Sequence, residues 1–228
     1  MGLTLEQVVP WGRSLAEYQE MFALASADLQ RHVIDCGSGP ASFNAEMTKQ
    51  GYSVISCDPI YQFSAAEIAQ RIDETYPVLM SGVAANLDSY RWENIADPAQ
   101  LGEVRMAAMH QFLADFPTGF TAGRYCFAAL PTLPFPDKAF DLALCSHLLF
   151  TYSDHLSLEL HRAAIAEMCR VAEEVRIFPL LKFSGEPSPH LPILQTELTQ
   201  QGYSAIVQTV PYEFQKNGNQ LLQIQSNP

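Results

Sequence analysis

From Val33 onward, short apolar runs alternate with stretches whose apolar positions recur every three or four residues. The first pattern suits strands and the second helices, and their regular exchange predicts parallel strands joined by crossover helices. Strands are expected at 32–36, 53–58, 124–128, 141–146, 174–180, 204–210 and 220–225. Runs such as VIDC, DLALC and VRIFPL are nearly continuous in apolar character, as strands covered by helices on both faces should be. Helix ends agree with this register: Gly51 and Gly202 each follow a polar Gln, where a left-handed residue closes a helix, and each directly precedes a strand. Helices are predicted over 42–50 and over about 154–172, the second with Leu156, Leu160, Ala164, Met168 and Val171 on one stripe.

The rhythm breaks at 60–123, a segment far longer than a crossover, which reads as an insertion after the second strand with helices of its own. Ser64 with Glu67 forms a capping box, and Asp97, Pro98 and Gln100 stand in the order of N-cap, first-turn proline and N3 residue. The second helix is expected to run on Leu101, Val104, Ala108 and Phe112 towards Phe116, with Pro117 and Gly119 ending it. The stretch VLMSGVAANLDSYRWENI between the two helices has no clear period. Because both ends of the insertion adjoin strands, it is expected to cover the carboxyl edge of the sheet. Its Tyr61, Phe63, Tyr90, Trp92, His110, Phe112 and Phe116 would then line an apolar pocket.

Composition narrows the setting. A chain of 228 residues that is 48% hydrophobic and 17% charged can bury a full core, here as one domain over 1–228 with a helical cap at 1–30. The 25 acidic against 13 basic residues give a net charge of −12 with no basic run, which argues against a nucleic-acid partner. No apolar stretch approaches the roughly twenty residues of a membrane helix, and the start MGLTLEQVVPWGR lacks the regions of a signal peptide. A cytoplasmic protein without membrane association is expected. The five cysteines are odd in number and form no C-x-x-C pair, so they read as small buried residues, with no metal site.

The chemistry concentrates at Val33-Ile-Asp35-Cys-Gly37-Ser-Gly39-Pro-Ala41, a strand running into a glycine turn and a helix. Glycines at 37 and 39 allow a tight turn and let a ligand approach backbone amides. The next strand ends in Asp58, nineteen positions after Gly39, where a carboxylate can accept both hydroxyls of a ribose. Two features turn this away from a dinucleotide site. Ser42 stands where the third glycine would be, and Asp35, directly before the glycines, would repel a pyrophosphate and attract a cationic amino acid.

At these residues the chain resembles the class I S-adenosylmethionine-dependent methyltransferases, whose first motif is acidic-x-Gly-x-Gly-x-Gly and whose second strand ends in an acidic residue. The run Leu133–Leu149 resembles that family's loop and fourth strand. Ala41 in place of the third glycine and Ala129-Leu130 in place of an acidic residue after the third strand are departures. The resemblance implies a three-layer Rossmann-like methyltransferase fold: a seven-stranded, mostly parallel sheet, its last strand antiparallel, with helices on both faces. It also implies S-adenosylmethionine as cofactor, with Asp35, Gly37 and Gly39 around its methionine part, Asp58 on its ribose, Ala129 and Leu130 at its adenine, and Ser146 among its contacts. Arg13, or Tyr18 on an expected N-terminal helix, would reach its carboxylate. His147, just past the fourth strand, is the candidate general base, with Tyr152 and His155 weaker ones. The expected activity is methyl transfer to a small molecule, against the alternatives of a non-catalytic cofactor-binding regulator and an NAD-dependent oxidoreductase. No motif specifies the acceptor or the oligomeric state.

Overall fold

The computed structural model describes residues 9–226, so the first eight residues of the expected cap lie outside it. The sheet contains β1 Val33–Cys36, β2 Val54–Cys57, β3 Tyr125–Cys126, β4 Phe140–Ser146, β5 Ala172–Phe178, β6 Tyr203–Thr209 and β7 Gln220–Ser226. Their spatial order is β3-β2-β1-β4-β5-β7-β6. The first five are parallel, and β7 runs antiparallel to both β5 and β6. All seven expected strands are present, with β3 cut to two residues.

Period-two alternation sorts the side chains of each strand between two cores. Ile34, Cys36, Ala143, Cys145, Val175 and Ile177 face one side, where α5 (Leu158–Val171) and α6 (Leu191–Gln200) cover them. Val33, Leu142, Leu144 and Phe178 face the other, against α1 (Leu15–Met21) and α2 (Phe43–Lys49). α5 begins later than its stripe suggested, because the Ser157 hydroxyl accepts the Leu160 amide and caps the helix there. Four of the five free cysteines are buried, and Cys126 is half-buried.

The insertion forms α3 (Ala65–Ala84) and α4 (Pro98–Thr121), with the capping box at Ser64 and the Asp97 cap both in place. The unreadable stretch resolves into the last turns of α3, a single 3-10 turn over Leu87–Ser89, and an extended strap. Pro117 and Gly119 do not end α4, which runs on to Thr121. A proline near a helix end forfeits one backbone bond, and burial of Phe112 and Phe116 in the neighbouring core outweighs that loss. Gly119 is there for proximity: a Cβ at this position would lie 2.4 Å from the Tyr125 ring. Tyr61, Ile68, Ile72, Met109, Phe112, Phe116 and Tyr125 form this third core at the β3 edge.

The strap crosses to the far side of the sheet. Tyr90 pairs with Gln215 as an isolated antiparallel bridge, so the insertion that leaves at β2 is fastened to the loop between β6 and β7. No helix among the described residues is long and apolar enough to cross a membrane.

Candidate active site

The order in which strands are added to the sheet reverses between the parallel β1 and β4, whose carboxyl ends flank a crevice, the usual ligand position in open α/β sheets. A cavity of about 880 Å³ opens there. It is lined in turn by the N-terminal segment, the glycine turn, the insertion, the segments after β3, β4 and β5, and the β6–β7 loop.

The glycine turn is held from below and from the side. The Gly37 amide donates to the Cys57 carbonyl at 2.8 Å. Both glycines have positive φ, +70° at Gly37 and +55° at Gly39. A Cβ on Gly37 would meet the Leu148 side chain at 2.4 Å, whereas one on Gly39 would meet nothing within 4 Å. Gly39 therefore presents bare backbone to open space. Asp58 grips this turn, one oxygen accepting the Gly39 amide at 2.9 Å and the other the Ile60 amide at 2.9 Å. Burial raises its carboxyl above the ordinary range, and the two amide bonds work against that rise. Tyr61, expected to line a pocket, instead completes the clamp: its hydroxyl donates to the Gly39 carbonyl at 2.8 Å and is also bonded to Ser38. The signal for it was Pro59 after Asp58, which starts a 3-10 turn that Asp58 caps and that aims Tyr61 inward.

Asp35 lies beneath the cavity wall. It is fully buried, one oxygen accepts the Tyr18 hydroxyl at 3.0 Å, and the other has no partner. Burial pushes its carboxyl up to about 8, opposed by the Tyr18 bond and reinforced by the charge of Asp58. Tyr18 reaches the cavity wall, but its hydroxyl is committed to Asp35.

Arg13 also lines the cavity. Among the described residues its Nε is buried without a partner, its one acceptor is the Trp11 carbonyl at 3.2 Å, and it makes no ion pair. The carboxylate nearby, Glu17, is taken by the buried Arg105 of α4 at 2.6 Å and by the Tyr212 hydroxyl at 3.3 Å. Burial first, and then the charge of Arg105, lower the proton affinity of Arg13.

His147 follows β4 in a left-handed conformation, φ 49°, that non-glycine residues rarely adopt. Its amide donates to the Phe178 carbonyl at 2.6 Å, and Nδ1 is 2.8 Å from the Ser146 hydroxyl. Burial, then the charges of Arg13 and Arg105, hold the ring well below the ordinary histidine range, so it is neutral at neutral pH. Tyr152 lines the cavity nearby and accepts the Val9 amide, while His155 is exposed and outside it.

No model of a known protein family matches the sequence. Over 223 residues the chain is 31% identical to the uncharacterized protein MJ0045 of Methanocaldococcus jannaschii, covering 96% of this chain and 97% of that one. The two proteins belong to one family. Among solved structures the chain is similar to magnesium protoporphyrin IX methyltransferase of Synechocystis with bound SAM, at 14% identity and a TM-score of 0.50, over 93% of this chain and 81% of that one. The same enzyme with bound SAH gives 13% identity and a TM-score of 0.50, over 93% and 84%. At such identities the likeness is one of fold, and the fold of this MJ0045-family chain is the Rossmann-like class I methyltransferase fold.

Within that fold Gly37, Gly39, Asp58, Ala129, Leu130, Ser146, His147, Arg13 and Tyr18 come together on one cavity, with Asp35 directly behind them. The aromatic set of the insertion divides otherwise than expected. Only Phe63 and Tyr90 of it reach the cavity; Tyr61, Phe112 and Phe116 fill the third core, Trp92 packs on Tyr90 and Phe214, and His110 is exposed. The rest of the aromatic wall comes from Trp11, Tyr18 and Tyr152, and from Phe178, Phe183, Tyr212 and Phe214, the last four marked by no local motif.

Proposed function

We propose that this protein is an S-adenosylmethionine-dependent methyltransferase acting on a small molecule. The observation that carries the reading is two incomplete polar groups beside an open turn: Asp35 with an orphaned oxygen and Arg13 with no carboxylate among the described residues, next to Gly39, where a Cβ would meet nothing. A buried polar group without a partner is costly, and one cofactor of the right charge pattern completes both of these. Asp35 and Gly37 would hold its amino acid end, Arg13 its carboxylate, Asp58 its ribose through the lone pairs left beside the two amide bonds, and Ala129 and Leu130 its adenine. When bound, the group supplies a methyl on a sulfonium, which needs an aligned nucleophile and a dry site.

The chain's own residues meet those needs. The insertion and its strap form one side of the cavity, which continues past the glycine turn, and this favours catalysis over a purely cofactor-binding role. His147 serves as proton acceptor in the tautomer whose Nδ1–H donates to the Ser146 hydroxyl, since this leaves Nε2 with a free lone pair. Buried cysteines without disulfides suit a reducing, cytoplasmic setting.

Titration calorimetry tests the reading. Adenosylmethionine or adenosylhomocysteine is expected to bind with micromolar affinity, about −8 kcal/mol, and NAD not at all. Tight NAD binding with no response to adenosylhomocysteine would overturn it.

A further inference from the structure

Past the glycine turn the cavity changes character. Its far wall is built from Leu79 and Val83 of α3, Tyr90 of the strap, Tyr152 after β4, Phe183 after β5 and Phe214 of the β6–β7 loop. Two aromatic stacks stand in this wall: Tyr90 on Phe214, with centroids 4.9 Å apart and planes at 21°, and Tyr152 on Phe183, at 6.3 Å and 29°. None of these six side chains is charged. The acidic residues of α3 that reach the cavity, Glu67 and Glu74, are exposed, Glu67 bonded to Ser64 and Glu74 beside Arg71.

The wall is also fastened shut. The Arg91 amide donates to the Phe214 carbonyl at 2.8 Å, the Lys216 amide to the Ser89 carbonyl at 3.0 Å, and Arg91 pairs with Glu213 at 2.7 Å. A strap stitched across the sheet in this way favours a detached small molecule over a polymer that must lie across the site. At the inner end the charges facing His147 are the two guanidinium groups of Arg13 and Arg105, with only Glu17 between them to offset one. With the cofactor bound, Arg13 would be paired with its carboxylate as Arg105 is with Glu17, so this end keeps no spare carboxylate for an ammonium and suits a neutral or anionic group.

From these observations we infer that the methyl acceptor is a flat, largely apolar ring system whose nucleophilic group is uncharged or anionic, bound against the Tyr90–Phe214 and Tyr152–Phe183 stacks. The inference rests on the methyltransferase reading. Aromatic faces and branched aliphatic side chains give a planar ligand broad contact without requiring hydrogen bonds. Beside these faces stand a few polar groups, among them the unpartnered buried Thr151 hydroxyl and Gln215, which can orient one polar substituent but are too few for the many polar groups of a sugar, an amino acid or a polyamine.

The test uses the whole chain saturated with adenosylhomocysteine and three probes: anionic 1-anilinonaphthalene-8-sulfonate, neutral 2-naphthol and cationic thioflavin T. The anionic dye is expected to fluoresce on binding, to be displaced by 2-naphthol, and to outcompete thioflavin T by about tenfold or more. Val83→Trp, which fills the far wall, and Phe183→Leu, which removes one flat face, should each weaken the anionic dye by about tenfold and about threefold, with adenosylhomocysteine affinity unchanged as the check on folding. Equal binding of the cationic dye, or anionic-dye binding indifferent to both variants, would overturn the acceptor class while leaving the cofactor reading intact. Failure of adenosylhomocysteine to bind the wild-type chain would overturn the reading beneath it.

Discussion

Asp35 on β1 and Glu174 on β5 are both buried strand carboxylates, 0% and 4% exposed, yet they sit at opposite extremes of proton affinity. Glu174 lies near the amino end of its strand, with one oxygen accepting from Arg31 at 2.7 Å and the other from Arg176 at 2.6 Å and Gln223 at 2.7 Å. Burial alone would raise it, but the bonds from Arg31 and Arg176 outweigh that and bring it down to about 2. Asp35 lies at the carboxyl end of its strand with a single neutral donor, and burial takes it up to about 8. Two like groups thus mark two kinds of region. The amino-terminal side of the sheet is electrostatically complete and serves the fold. On the carboxyl-terminal side Asp35 has no cationic partner among the described residues, and this deficit is what the proposed binding site would make good.

The largest effect should come from breaking the complete region. Glu174→Ala leaves Arg31 and Arg176 with Asp28 as their remaining shared carboxylate and is expected to cost about 1.5–3 kcal/mol of stability in urea unfolding. The sign with pH follows from the lowered value. Glu174 stabilises the fold above the ordinary carboxylate range and loses that contribution as the pH falls towards 2. A variant within roughly 1 kcal/mol of wild type would show the cluster to be ornamental.

Asp35→Asn probes the incomplete region and should do the reverse. A folded-state value of about 8, above the unfolded one, means that Asp35 favours the fold only while protonated, and that this contribution is lost as the pH rises through 8. The variant is therefore expected to be at least as stable as wild type above neutrality, yet to bind adenosylhomocysteine about tenfold more weakly, or 1.4 kcal/mol. Wild-type binding near neutral pH should release a proton as the carboxyl ionises beside the ligand's amino group, read by calorimetry in buffers of different ionisation enthalpy. Binding heats independent of buffer would remove Asp35 from the site.

Tyr18→Phe is the smallest change and sharpens the comparison. Loss of its bond to Asp35 should cost about 1 kcal/mol and raise the pH at which Asp35 ionises, since that bond opposes the effect of burial. Unchanged ionisation would mean that the hydroxyl serves packing alone.

What could be read from the residues themselves was whatever a few neighbouring positions decide. Seven strands, the left-handed glycines after helices, the caps at Ser64 and Asp97, and the glycine turn ending beside Asp58 all follow from local backbone preferences and side-chain period. The identity of the cavity's far wall was of another kind. Phe183, Phe214 and Tyr152 come from separate connections, and only the sheet order brings them to one edge. The same holds for the Tyr61 clamp on Gly39, the Tyr18 bond to Asp35 and the strap from Ser89 to Lys216, each joining residues far apart in the chain. Pro117 and the aromatic residues of α4 were misread because helix breaking and pocket lining were weighed locally, while burial against Tyr125 settled them. Backbone propensities act within a turn or two of chain, whereas burial and electrostatic pairing depend on which elements the fold sets side by side.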